Sequence, residues 1–330
     1  MLYINSGAAP RRAANVEHGA EGGHSGLTDA VWIDLCLPSD GERLATERAT
    51  GAPVPAEADL AEIETSSRLS VQGDTLTLST PMTYRGPAGE SLIAPLGFIL
   101  SPRHLVTVRF AEMSLFDTYA ERFAAAGPGS SSVGAFLGLV ESIVDRLADV
   151  LEHVGSDLTT ISGRVFQPGA NKRHNAAMAD RALRATLREV GLAGERVSNI
   201  RDSLMGVNRI LLYVRDVAGP WIPADLVPRF NTVRQDIASL TEYDNQITNK
   251  VQFLLDATLG FINIEQAQGI KVLTVVSVVG VPPTLIASIY GMNFKWIPEL
   301  QWEYGYFYGL VLIVLSGVLP LVWFKRQGWI

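Results

Sequence analysis

One cysteine, Cys36, stands in 330 residues, so no disulfide can close within the chain, as suits a reducing cytoplasm. In the apolar run Val31-Trp32-Ile33-Asp34-Leu35-Cys36-Leu37 it reads as a small buried hydrophobe. Positive charge is also scarce: 27 Lys and Arg against 34 Asp and Glu leave a formal charge of −7. A nucleic-acid protein would usually present a basic patch, and this balance argues against one. Residues 1–26, rich in Gly, Ala and charge, lack the roughly 7–15-residue apolar core of a secretory signal. They read as a disordered tail in which His18 and His24 are solvated. No Ser/His/Asp or Cys/His constellation stands at useful spacing, and no glycine-rich phosphate loop occurs. His153 and His174 each lack a second histidine one turn away, which disfavours a zinc site. The chain is therefore expected to be neither an enzyme nor the holder of an organic cofactor.

The most informative lack is of charge in residues 272–290 and 306–324, which contain no Asp, Glu, Lys or Arg. At ~1.5 Å per residue each run matches a hydrocarbon core about 30 Å thick. Two spans joined by so short a loop make a helical hairpin with both long ends on one side. Lys271 precedes the first run, Lys325 and Arg326 follow the second, and the loop sets Lys295 against Glu299 and Glu303. That bias predicts cytoplasmic N- and C-termini and a multi-pass protein of the plasma (inner) membrane. The domains expected are a tail (1–26), a cytoplasmic mixed α/β domain (27–130), a cytoplasmic helical stalk (131–271) and a transmembrane hairpin (272–330) with periplasmic loop 291–305.

Within residues 27–109 short strands alternate with turns. Segments 30–35, 69–72, 75–79, 97–100 and 105–110 are strand candidates, and Gly73-Asp74 marks a hairpin. Pro38 to Gly41 and Ser101 to His104 read as turns, and residues 55–63 as a short helix. Strand signals stop after Glu112. Residues 112–126 read as helix, and a Gly/Ser-rich break follows at 127–132. Phe136, Leu139, Val140, Ile143, Val144, Leu147, Val150 and Leu151 then trace the stripe of an amphipathic helix over 133–162. A second long helix is expected over 176–217, ended by Gly219-Pro220-Trp221-Ile222-Pro223. Residues 224–290 show no strong break except Pro282-Pro283 and glycines inside the apolar run. One helix on the order of 100 Å would carry the stalk into the first span, and it would need neighbours to pack on. The fold class is α+β with a long α stalk, continuous with the first of two C-terminal membrane helices.

Along that helix, Asp256, Asn263, Ile270, Ser277 and Thr284 recur every seventh residue, with Leu273 and Val281 beside them. Such a stripe suits either a shared axis or the ordinary packing face of a membrane hairpin. Ser277 and Thr284 can also bond their own backbone. The first span ends in Tyr290-Gly291-Met292-Asn293, which supplies a glycine for close packing and an amide with acceptor and donors.

That tetrapeptide, placed at the end of the first of two terminal spans, resembles the signature of the CorA magnesium and cobalt transporter family. The loop Pro298-Glu299-Leu300 and the terminal Phe324-Lys325-Arg326-Gln327-Gly328-Trp329 are similar to the same family. The resemblance implies a homopentamer in a lipid bilayer, with the first spans lining one pore and the second spans outside. It implies influx of hydrated Mg²⁺ driven by membrane potential, with Co²⁺ and Ni²⁺ as further candidates. Gly291, Met292 and Asn293 would form the selectivity filter, and Thr284, Val281, Ser277 and Asn263 would line the pore. Leu273 and Ile270 resemble an apolar gate that closes by dewetting. Glu299 would draw cations to the mouth, although a merely solvated loop carboxylate fits it as well. Asp256 matches the region of a regulatory Mg²⁺ site. Ala267 and Val281 depart from the family, which often has an asparagine and a larger side chain there. Two other readings are a zinc transporter of the related ZntB type and a membrane-anchored metal sensor that does not conduct.

Overall fold

The computed structural model describes residues 2–5, 11–12, 27–62, 64, 68–125, 131–166, 176–293 and 297–329. His18, His24, His174 and Lys295 lie outside them. The chain divides into two compact units, residues 1–166 with 188–255, and residues 167–187 with 256–330.

The first unit is built on a seven-stranded sheet of order β2-β1-β3-β7-β6-β5-β4. Its strands are β1 (Leu2–Asn5), β2 (Arg11–Arg12), β3 (Trp32–Cys36), β4 (Leu69–Gln72), β5 (Thr75–Arg85), β6 (Ser91–Leu100) and β7 (Leu105–Arg109). The central pair β3–β7 is parallel and every other pair antiparallel. The central strands are buried on both faces, so their alternation sorts two cores rather than core from solvent. On one face Leu2, Ile33, Leu35, Ile99, Val106 and Val108 pack with Ala45 of α1 (Asp40–Thr50) and Leu60 of α2 (Glu57–Leu60). On the other, Trp32, Leu96, Phe98, Leu100 and Leu105 pack with α3 (Ser114–Ala125) and α4 (Ser132–Phe166). Gly97 is required by the first face, since a Cβ there would sit 2.8 Å from a Leu60 methyl.

Three sequence expectations need correction. The turn read at Pro38 to Gly41 is the start of α1: Ser39 accepts from the Glu42 N–H while the Glu42 carboxylate accepts from the Ser39 N–H. Leu2–Asn5, assigned by composition to a disordered tail, pairs antiparallel with Trp32 to Leu35. Strands β5 and β6 run well beyond 75–79 and 97–100, because Pro81 and Pro95 face each other in the ladder instead of ending it.

A charged pair is buried within the second face. Asp34, 2% exposed, accepts from Arg109 Nη2 at 2.9 Å, Arg109 Nε at 3.1 Å and Thr107 Oγ1 at 2.7 Å. Arg109 also stands over the Phe116 ring at 4.7 Å. Burial works against the guanidinium charge, but the neighbouring carboxylate prevails and raises its pKa.

The long helices follow the sequence pattern. Of the eight apolar residues of the α4 stripe, all but Val150 are fully buried. Helix α5 (Ala176–Val217) has the expected bounds, and α6 runs unbroken over Val227–Tyr290. In the first unit, α4, α5 and α6 share a core of Val154, Leu158, Val197, Ile247 and Leu254. The second unit holds the end of α6 and helix α7 (Gly305–Arg326), and both carry a stretch long and apolar enough to cross a membrane.

Candidate functional site

Helices α6 and α7 form an antiparallel hairpin whose contacts are made by small residues. Gly309 lies under the Tyr290 ring: a Cβ added there would come 3.9 Å from Tyr290 Cδ2. Lower down, Gly317 faces the Pro282-Pro283 pair, and its Cβ would come 3.3 Å from Pro283 Cγ and 3.6 Å from the Val279 carbonyl. Proline cannot donate, so the helix loses the bonds normally made to the Val278 and Val279 carbonyls. A glycine opposite that point lets α7 come close, as small residues do in membrane helix pairs. Gly317→Leu is therefore expected to wedge the hairpin apart, losing about 1–3 kcal/mol. A lowered melting midpoint in detergent, with Gly317→Ala much nearer the parent, is the result to look for. The sequence signal available was two glycines eight apart in an apolar span.

The face of α6 turned to α7 carries Lys271, Val279, Pro283, Ile286 and Tyr290, all half-buried. The face opposite, by 3.6-residue periodicity, carries the stripe read from sequence. Asp256, Asn263, Ile270, Leu273, Ser277, Val281 and Thr284 are all exposed, with Ile270, Leu273 and Val281 at 65%, 67% and 60%. The stripe thus stands on one helix face, and it is not the face that closes the hairpin. The Thr284 hydroxyl donates to its own backbone, to the Gly280 carbonyl at 2.5 Å and the Val281 carbonyl at 3.1 Å. Thr274 does the same to Ile270. Of the two uses open to Thr284, local bonding is the one made in a single chain.

At the top of α6 the Gly291 N–H donates to Ala287 at 3.0 Å and the Met292 N–H to Ile289 at 3.2 Å. A side chain at Gly291 would put Cβ 3.2 Å from the Ala287 carbonyl, which explains the glycine where the helix ends. Gly291, Met292 and Asn293 are exposed, so the Asn293 amide is open to solvent just beyond the end of α6. Glu299 lies in a short 3-10 turn, Pro298–Gln301, and is half-buried. Among the described residues, no group of three or more His, Cys, Asp or Glu is placed to hold a metal ion. Among the described residues Asp256 thus has no companion ligands for a cation site.

Three comparisons bear on these features. A family model described as "CorA-like Mg2+ transporter protein" matches residues 28–326. A "Magnesium transport protein CorA" of Salmonella typhimurium is 35% identical over 305 residues, covering 92% of this chain and 93% of that one. The complete structure of a CorA magnesium transporter from Methanocaldococcus jannaschii superposes with a TM-score of 0.73 at 17% identity, covering 100% of this chain and 99% of that one. The cytoplasmic domain of ZntB from Vibrio parahaemolyticus reaches 0.55 at 11% identity over 79% of this chain and 97% of its own. At such identities the two structural likenesses speak for the fold alone.

Proposed function

Because the chain belongs to the CorA-like Mg²⁺ transporter family, we propose that it carries Mg²⁺ inward through a pore formed by five copies. The observation that carries this reading is the exposed stripe on α6, opposite the face packed on α7. Ser277 and Thr284 put hydroxyls on the outside of a span, where an aqueous axis suits them better than lipid even with the Thr284 hydroxyl bonded to its own backbone. With α6 innermost, the stripe of each copy meets its counterparts and α7 is left to the bilayer. The same arrangement puts the 27–130 and 131–271 regions in the cytoplasm and the 291–305 loop in the periplasm, with α7 and the stalk ending on the same side.

Mg²⁺ holds its water tightly, so a mouth that admits it is best built to bind the water shell. A ring of Asn293 amide oxygens and Gly291 carbonyls accepts hydrogen bonds from that shell, with Met292 shaping the rim. Val281 narrows the path beneath, and Ile270 and Leu273 form a dry ring that a hydrated ion cannot wet. Asn263 and Asp256 continue the line below it. Glu299 adds a negative charge per copy near the mouth, an effect that salt weakens. The driving force is electrical, about 2.3 kcal/mol per charge per 100 mV and so roughly twice that for a divalent ion.

Asp256 is this chain's share of a regulatory cation site whose other ligands come from a neighbouring copy, since the described residues of one chain place no further ligand group beside it. Carboxylates facing each other across that contact repel unless a cation stands between them, so a falling cytoplasmic Mg²⁺ level favours the open state. Asp256→Ala is expected to keep its Mg²⁺ flux but lose much of the inhibition by internal Mg²⁺. Inhibition at the wild-type concentration would remove Asp256 from the site.

The testing experiment is uptake into liposomes containing the purified chain, first with an inside-negative potential and then with a proton gradient. Voltage-driven Mg²⁺ entry, with Co²⁺ and Ni²⁺ tried in turn, is the expected result. Zn²⁺ entry that follows the proton gradient would move the chain to the ZntB reading. No flux from an assembled oligomer in Mg²⁺-free internal buffer would favour a non-conducting sensor.

A further inference from the structure

At the lower end of the hairpin the chain turns back on itself. Helix α7 ends with Gly328 in the left-handed region, φ 69°. The Gly328 N–H donates to the Lys325 carbonyl at 3.3 Å and the Trp329 N–H to the Phe324 carbonyl at 2.9 Å. These are the two crossed bonds of a Schellman turn, and its usual apolar contact is present, with the Trp329 and Phe324 rings 5.3 Å apart. Phe324 itself is 3% exposed. The turn therefore fixes the Trp329 ring in space, and above that ring, 5.1 Å from its centroid, stands the ammonium of Lys271. A tryptophan face is the strongest aromatic partner for such a cation.

Lys271 is the half-buried neighbour of the exposed Ile270. One residue is about 100° of helix rotation, so a tie from Lys271 to α7 sets where Ile270 and, two residues on, Leu273 point. We propose that Lys271 and Trp329 form a clasp that fixes the rotation of α6 and keeps the apolar ring turned toward the axis, sealed. This rests on the pore reading of the stripe. Trp329 is a positioning residue: it touches no ion and acts through Lys271 on the gate. A tryptophan serving only as an interfacial anchor would be indifferent to the residue at position 271.

Mg²⁺ flux at an internal Mg²⁺ concentration that shuts the parent channel is the quantity to measure, using a Mg²⁺-sensitive dye in liposomes. Lys271→Gln and Trp329→Ala are each expected to raise that residual flux, and the internal Mg²⁺ needed for closure, by roughly two- to fivefold. The double variant should add little to either. Lys271→Arg and Trp329→Phe, which keep a cation and a ring, should restore most of the closure. Unchanged or lowered residual flux in the single variants, or full additivity in the double, would overturn the clasp. A contact test is independent of transport. In a Cys36→Ser background, Lys271→Cys with Trp329→Cys should be joined within one chain by a short bismaleimide, as read by mass spectrometry. Failure to join overturns the clasp even if Mg²⁺ flux is normal, whereas joining in a chain whose parent passes no Mg²⁺ from Mg²⁺-free internal buffer overturns the pore reading and with it the sealing role.

Discussion

Asn293→Ala should abolish voltage-driven Mg²⁺ uptake in liposomes while leaving expression and oligomer size unchanged. Asn293 is exposed just beyond the end of α6, so the substitution removes an amide and little else. Each amide-to-water hydrogen bond is worth about 0.5–1.5 kcal/mol net. In the proposed ring of five, the summed loss corresponds to a fall in flux of at least about 100-fold. Gly291 makes the complementary point. A side chain there crowds the Ala287 carbonyl at 3.2 Å, so Gly291→Ala shifts the helix end and displaces the amide without removing it. Its expected phenotype is a partial loss of flux with weakened ion discrimination. Flux at the parent rate in Asn293→Ala would place the filter elsewhere.

The hairpin, the stripe and the motif were legible because each is written locally. Charge-free runs, a seven-residue repeat and a tetrapeptide need no knowledge of what folds against them. The soluble sheet was legible in its central strands and obscure at its edges. The expected strands 75–79 and 97–100 stop short of Pro81 and Pro95, which sit opposite each other in the β5–β6 ladder, a pairing that only the register reveals. Leu2 looked like part of a polar tail because its partner strand begins thirty residues on, at Trp32. Helix α1 was hidden by Pro38 and Gly41, although the Ser39 and Glu42 capping pair was present in the sequence. The same reasoning separates the site residues. Asn293 was named from the resemblance of its tetrapeptide to the family signature, and the stripe from spacing on one helix. Gly317 and the Lys271–Trp329 contact could not, because each depends on which residue of α7 lies opposite which residue of α6.

The largest expected effect on stability lies in the soluble unit, at Arg109. Arg109→Met removes the only charged donor to Asp34 in the described structure and leaves that carboxylate with the Thr107 hydroxyl, deep under α3. Breaking one side of a buried ion pair costs about 3–5 kcal/mol, because the remaining charge is both desolvated and unmatched. Cys36, two residues along β3 and 4% exposed, reports the damage directly. Burial pushes its thiol pKa up, so in the closed sheet it is a poor nucleophile and becomes reactive when the strand opens. Maleimide labelling of Cys36 in Arg109→Met should accelerate by about 10²–10³-fold over the parent at neutral pH. Asp34→Asn with Arg109→Met removes both charges and should recover much of the lost protection. A double variant that labelled as fast as Arg109→Met would instead assign the loss to the packing of the arginine stem on Phe116, where its guanidinium stands 4.7 Å above the ring.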